Sequence, residues 1–254
     1  KELPERGYQG EYILDIAKQL VEEEGNRLLG LPQEERHDWL KKYAVSKILE
    51  SQKQTLLAYG LKYDTWYSEK SLREKGAHEA LVAKLEEKGF IYEKDGAKWL
   101  KSTEFGDDKD RVVVKSDGEM TYLAPDLAYH EDKLERGFDH LIDILGPDHH
   151  GYVGRLKAGL SALGYSADVL EVIVAQTVRL VRGNEVVKMS KRGGEFVTMD
   201  ELLEEAGKDA CRFFFLMRAP SSHLDFDLDL ARLQSNENPV YYVQYAHARI
   251  ASIF

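Results

Sequence analysis

Three cations and a hydroxyl fall within five residues at Lys188-Met189-Ser190-Lys191-Arg192, and Gly193-Gly194 follows directly. Cationic side chains suit a bound polyphosphate, and glycines let a loop follow phosphates as they change shape. The same letters also read as the solvated end of a hairpin whose lysines hold nothing. A second candidate is Leu145-Gly146-Pro147-Asp148-His149-His150, where an apolar run ends and a helical pattern opens. In an open parallel sheet, ligands bind outside the carboxyl ends of the strands, where an Asp can accept hydrogen bonds from both ribose hydroxyls. Asp148 reads equally as a plain helix N-cap. A metal site at His149 and His150 is not expected, because no Cys or His partner stands at ligand spacing.

The elements that must hold these residues follow from periodicity. Tyr12, Ile13, Ile16, Ala17, Leu20 and Val21 recur at helical spacing, with Gly25 as a stop. Pro32 opens a longer helix that places Leu40, Tyr43, Ala44 and Ile48 on one face and ends at Gly60. A strand is expected over Leu61–Tyr67, then a short helix carrying Leu81, Val82 and Leu85 into Gly89. Asp95-Gly96 and Asp117-Gly118 are tight-turn signals, predicting hairpins of Phe90–Lys94 with Ala97–Lys101 and of Arg111–Ser116 with Glu119–Ala124. From residue 126 the pattern alternates: helix at Asp126–Arg136, strand at His140–Leu145, helix at His149–Leu163, strand at Val169–Ala175. Such alternation predicts a parallel sheet with crossover helices. A hairpin across Gly183-Asn184 and a capping box at Thr198 and Glu201 come next, and helical patterns run to the end. The acidic run Asp225-Phe226-Asp227-Leu228-Asp229 reads as a solvated turn and cap rather than a metal site.

Composition narrows the function classes. With 254 residues, 43% hydrophobic and 10% aromatic, the chain can bury a sizeable core and is not a disordered tail. No run approaches the roughly 18 apolar residues of a membrane helix, and no secretory leader pattern opens the sequence. A cytoplasmic location and no membrane partner are therefore expected. The single cysteine, Cys211, lies in an apolar stretch and reads as a buried structural thiol. A net charge of −10 argues against a generic basic coat for nucleic acid, though not against a local patch.

Longer stretches carry a family resemblance. Lys188-Met189-Ser190-Lys191 followed by Arg192 resembles the KMSKS loop of class I aminoacyl-tRNA synthetases, which also carry a Gly-x-Asp turn like Gly146-Pro147-Asp148 at the adenosine site. Four stretches resemble arginyl-tRNA synthetase: Ser102-Thr103-Glu104-Phe105-Gly106-Asp107-Asp108-Lys109-Asp110-Arg111, Tyr122-Leu123-Ala124-Pro125-Asp126-Leu127-Ala128-Tyr129-His130, the turn Asp148-His149-His150-Gly151-Tyr152, and Asn238-Pro239-Val240-Tyr241-Tyr242-Val243-Gln244-Tyr245-Ala246-His247-Ala248-Arg249. The likeness covers essentially the whole chain, weakly over residues 1–60 and strongly from about residue 90.

The resemblance implies an α/β fold: the second half of a class I synthetase Rossmann-type nucleotide-binding fold, with a helical insertion and the start of an all-α anticodon-binding domain. The expected divisions are a mainly helical region at 1–101, the catalytic half-fold with its KMSK loop at 102–233, and the start of the anticodon-binding domain at 234–254. There Tyr241, Tyr242, Tyr245 and Ile250 would be mostly helix core, with Gln244, His247 and Arg249 on the more polar side.

The activity implied is ATP-dependent activation of arginine and its transfer to tRNA(Arg), with Mg²⁺ carried in by the nucleotide. Lys188 and Lys191 would neutralise the departing pyrophosphate, and Ser190 would hydrogen-bond to it. Asp148, His149 and Met189 would serve the nucleotide. Tyr122, Asp126, His150 and Gln176 would serve L-arginine, whose permanently charged guanidinium is best held by a carboxylate beside a hydroxyl or aromatic group. Without the resemblance, Asp126 reads as a helix cap and Tyr122 as a packed strand residue. The family's other signature, His-x-Gly-His, is not found at any of the eight histidines. The chain therefore reads as an interior piece of a monomeric enzyme, and the alternative is a non-catalytic nucleotide- or tRNA-binding fragment of the same fold.

Overall fold

Glycine in the left-handed region ends the first two helices as their sequences dictate. In the computed structural model, which describes residues 11–183, 185–187 and 197–254, α1 (Glu11–Glu24) stops at Gly25 with φ 52° and α2 (Gln33–Tyr59) at Gly60 with φ 90°. After α3 (Glu69–Glu74) and α4 (Ala77–Glu87), β1 (Ile91–Lys94) and β2 (Ala97–Leu100) form the expected hairpin about Asp95-Gly96, and β3 (Arg111–Val114) pairs antiparallel with β2. Next come α5 (Leu123–Glu135), β4 (Leu141–Leu145), α6 (Val153–Leu163) and β5 (Leu170–Val174). The chain continues through β6 (Val178–Arg182), β7 (Glu185–Val186), α7 (Met199–Ala206), α8 (Lys208–Leu216), β8 (Leu224–Asp227), α9 (Leu228–Arg232) and α10 (Pro239–Ala251).

These elements form two compact units. One holds residues 64–177 with 219–223. Its core gathers Leu81 and Leu85 of α4, Leu100, Val113, Leu127 of α5, Leu156 and Leu160 of α6, and Leu170, all at most 1% exposed. β4 and β5 pair in parallel from Leu141↔Leu170 to Leu145↔Val174, with α6 as the crossover. Strand alternation puts Leu141 and Asp143 on one face of β4. Asp143 accepts from Lys133 of α5 and lies 2.7 Å from Nε2 of His130. At the α5–α6 contact, Gly159 leaves room for Leu127: a Cβ there would lie 2.5 Å from Leu127 Cδ1.

The other unit holds residues 1–63, 178–218 and 224–254. β6 pairs in parallel with β8 and antiparallel with β7, matching the expected hairpin on its described residues. Phe226 and Leu228 are buried with Leu180, Leu202, Cys211 and Phe214. Cys211 Sγ lies 3.6 Å from the Leu202 carbonyl, and burial pushes its thiol pKa up. The capping box forms as expected, the Thr198 hydroxyl accepting from Glu201 N and the Glu201 carboxylate from Thr198 N.

Several expectations are corrected. Leu61–Tyr67 is not a strand: Tyr67 stacks on Tyr129 at 4.6 Å and lies under Arg136 instead of entering a ladder. Glu119–Ala124 contributes only a bridge, Val114↔Met120, because α5 begins at Leu123. Half of the acidic run is strand: Phe226 is fully buried in β8, while Asp227 does cap α9 by accepting from Asp229 N and Leu230 N. On α10 only Val240 is buried; Tyr242, Tyr245 and Ile250 are at least half exposed, since little of the helix beyond its first turn packs on its neighbours, chiefly α8.

Candidate active site

The first turn of α5 starts earlier than the sequence pattern implies. Pro125 is tolerated there because the first N–H groups of a helix have no partner within it. The Asp126 N–H donates to the Tyr122 carbonyl at 3.2 Å, so Asp126 sits inside the helix and is not its cap. Tyr122 occupies the cap position with its side chain 88% exposed, which overturns its reading as a packed strand residue. Asp148 is likewise not a cap: Gly146 precedes the 3₁₀ turn Pro147–Tyr152, and no side chain caps it.

That turn leaves the carboxyl end of β4, and the Ala175 N–H continues the ladder to the Leu145 carbonyl. Asp148, His149, His150 and Gln176 therefore share one carboxyl edge. Asp148 and both histidines are exposed, and Nε2 of His149 lies 3.7 Å from Asp148 Oδ2. The Gln176 N–H donates to the Pro220 carbonyl at 2.7 Å, which ties it to the segment Ala219–His223.

Three of the expected residues line one cleft of about 540 Å³: Tyr122, Asp126 and His149. Asp148, His150 and Gln176 do not line it. Lys188, Met189, Ser190 and Lys191 lie outside the described residues.

The cleft is completed by Arg111 and Tyr152, which fall in the resembling stretches but were given no site role, and by Arg155, which the sequence did not mark. The Tyr152 hydroxyl donates to Asp126 Oδ2 at 2.6 Å. Burial, and then the Asp126 carboxylate, push the phenol pKa far above its ordinary value, so the hydroxyl keeps its proton and remains a donor. Arg155 lies over the Tyr152 ring, 5.1 Å from its centroid, and its Nε is buried without a hydrogen-bond partner. Arg111 is held by Asp107 through Nε–Oδ2 at 2.7 Å and Nη2–Oδ1 at 2.8 Å, and it also meets Asp108. An arginine in the first turn of a mostly apolar helix, three residues after a tyrosine, was the available sequence signal for Arg155. Chemically, the cleft offers one carboxylate fixed by a neutral donor, an aromatic wall and two guanidinium groups. Among the described residues no group of three or more His, Cys, Asp or Glu is placed to hold a metal ion, and no helix is long and apolar enough to cross a membrane.

Parallel strands joined by a crossover helix, with a polar turn at their carboxyl edge, define the class: an α/β nucleotide-binding fold of the class I synthetase type. Residues 22–216 match the family described as tRNA synthetases class I (R), catalytic domain, and the chain belongs to that family. It is 54% identical to the arginine–tRNA ligase of Desulforamulus reducens over 99% of this chain and 45% of that protein. It is 55% identical to that of Geobacillus thermodenitrificans, again over 99% and 45%. A crystal structure from Campylobacter jejuni, assigned as an arginyl-tRNA synthetase, superposes with a TM-score of 0.89 at 41% identity, covering 100% of this chain and 55% of that one. The chain spans about half the length of the curated relatives it matches.

Proposed function

We propose that the protein to which this chain contributes is an arginine–tRNA ligase. An arginine carboxylate oxygen attacks the α-phosphorus of ATP, pyrophosphate leaves, and arginyl-adenylate forms. A ribose hydroxyl at the 3′ end of tRNA(Arg) then attacks the acyl carbon and releases AMP. Catalysis is positioning and charge stabilisation, with no covalent enzyme intermediate. Asp126 and Tyr122 hold the substrate guanidinium, with His150 and Gln176 on the amino-acid side. Asp148 accepts from the ribose hydroxyls, with His149 and Met189 at the nucleotide. Lys188, Ser190 and Lys191 take the charge of the leaving pyrophosphate, and Mg²⁺ enters with ATP. The divisions 1–101, 102–233 and 234–254, a monomeric state and a cytoplasmic location belong to the same reading.

The observation that carries it is the Asp126 carboxylate, fixed by Tyr152 in a cleft beside the exposed ring of Tyr122. Such a site suits a planar cation, and the relatives' names point to arginine. The test is tRNA-dependent ATP–pyrophosphate exchange by the complete protein, offered arginine, lysine and methionine side by side. Exchange with arginine alone is expected; nucleotide or tRNA binding without exchange would replace this reading with the binding-fragment one. Asp126→Asn, which keeps the shape and removes the charge, should weaken arginine binding by about 2–5 kcal/mol with little change for ATP. An arginine KM within twofold of wild type would mean the pocket is misplaced.

A further inference from the structure

The cleft contains a competitor for its own carboxylate. Arg155 carries the same guanidinium that the proposed substrate presents, lines the same cleft as Asp126, and has a buried Nε that no group satisfies. A guanidinium lining the same cleft as a carboxylate ordinarily closes into a two-pronged ion pair. Here it does not, and Tyr152 stands in the way. Its hydroxyl occupies Oδ2 of Asp126 at 2.6 Å, while its ring face takes the Arg155 guanidinium at 5.1 Å. No described residue donates to Oδ1 of Asp126.

We propose that Tyr152 is a positioning residue for arginine selection, acting through Asp126: it orients the carboxylate, leaves Oδ1 for the ligand, and keeps Arg155 from occupying that place. This rests on the arginine-site reading above and adds a residue to it. The division of labour is physical. A neutral hydroxyl donor fixes the carboxylate without cancelling its charge, whereas a guanidinium donor would cancel it. The aromatic face gives Arg155 a favourable seat that does not consume the carboxylate.

The experiment uses the complete protein and reads arginine KM, ATP KM and kcat in tRNA-dependent pyrophosphate exchange. Tyr152→Phe keeps the ring, and so the packing and the seat for Arg155, and removes only the hydroxyl. Losing a hydrogen bond to a charged group should raise the arginine KM about 10–100-fold. ATP KM and kcat should stay within about threefold, the pattern of lost ground-state binding. In the Asp126→Asn background, Tyr152→Phe should add less than about twofold, as a residue acting through Asp126 must. Tyr152→Ala, which removes the ring seat as well, should raise the arginine KM further than Tyr152→Phe, and adding Arg155→Gln in the Tyr152→Ala background should recover that additional loss. An arginine KM within twofold of wild type for Tyr152→Phe, with Asp126→Asn still impaired, overturns this proposal alone. If Asp126→Asn is also unimpaired, the arginine-site reading itself has failed. Equal losses for arginine and ATP would make Tyr152 merely structural, and no recovery with Arg155→Gln would overturn the masking role of Arg155.

Discussion

Nε2 of His130 and Oδ2 of Asp143 lie 2.7 Å apart, and the contact ties α5 to β4. The same imidazole donates through Nδ1 to the Asp126 carbonyl at 2.6 Å, so one side chain joins the helix turn that presents Asp126 to the strand that leads to Asp148. Burial raises the Asp143 carboxyl pKa, but the His130 hydrogen bond and the charges of His130 and Lys133 outweigh it, and the net effect is a carboxyl below its ordinary range.

A carboxyl with a depressed folded-state pKa contributes stability that is complete above its unfolded value of about 3.9 and is lost as pH falls through the folded one. Asp143→Asn should therefore cost the full-length protein about 1.5–3 kcal/mol at neutral pH. The gap to wild type should shrink below about pH 4. Urea melts at both pH values check this, and an equal penalty at each would mean that the ionised contact is not what matters.

The Asp107–Arg111 pair tests the cost of a stranded charge. The Arg111 hydrogen bonds hold the Asp107 carboxyl well below the usual carboxylate range, and both side chains are largely buried, at 4% and 12% exposure. Asp107→Ala leaves the largely buried Arg111 guanidinium only its contact with the exposed Asp108 and should cost up to about 3–5 kcal/mol. Adding Arg111→Met should return part of that loss, because replacing both partners removes the stranded charge. Thermal melts of the single and double variants decide the matter; a double variant worse than Asp107→Ala would count against the buried-charge account.

Gly159→Ala tests the α5–α6 contact. Alanine improves helix propensity by about 1 kcal/mol. Its methyl, however, would meet Leu127 at 2.5 Å and 2.6 Å, and Leu127 is fully buried. Overpacking of about 1–3 kcal/mol should exceed the propensity gain, so a net destabilisation is expected. A variant more stable than wild type would show that Leu127 has another rotamer to adopt.

Lys191→Ala addresses the loop. Flanked in sequence by Ser190 and Gly193-Gly194, it should change stability by no more than about 0.5 kcal/mol. Single-turnover adenylate formation by the full-length protein with tRNA should slow about 10²–10³-fold, with ATP binding far less affected. An unaltered rate with weaker tRNA binding would make the stretch a nucleic-acid patch.

Much of this architecture was legible because its signals are local. Apolar runs of strand length at His140–Leu145 and Val169–Ala175 read as strands, and a helical pattern between them as a parallel crossover, which forms. The expected burial does not hold along β4, where Ile142 and Ile144 are more than half exposed. The glycines at 25 and 60 stop helices for steric reasons that no tertiary context reverses. Where the reading failed, distant contacts decided. Leu61–Tyr67 has the aromatic content of a strand, yet Tyr67 finds its partners on α5. The helix expected from Asp126 in fact begins at Leu123, and Pro125 fits inside it because a first turn has no N–H to lose. In the site, Tyr122 and Asp126 were readable as a pair only through the family resemblance. Tyr152 was not, since its relation to Asp126 spans 26 residues and depends on how the 3₁₀ turn feeds α6.

Cys211, the single cysteine of these 254 residues, is fully buried behind the Leu202 carbonyl in the core shared by α7 and α8. The unit of residues 64–177 and 219–223 has no thiol at all. A thiol-specific label can therefore reach this chain only when the α7–α8 core opens, and its uptake rate is a clock for that one event. Read across a denaturant series, the clock separates local breathing from global unfolding, because only the latter steepens with the surface exposed. These residues thus carry their own reporter of how the unit that includes Val178–Arg218 comes apart.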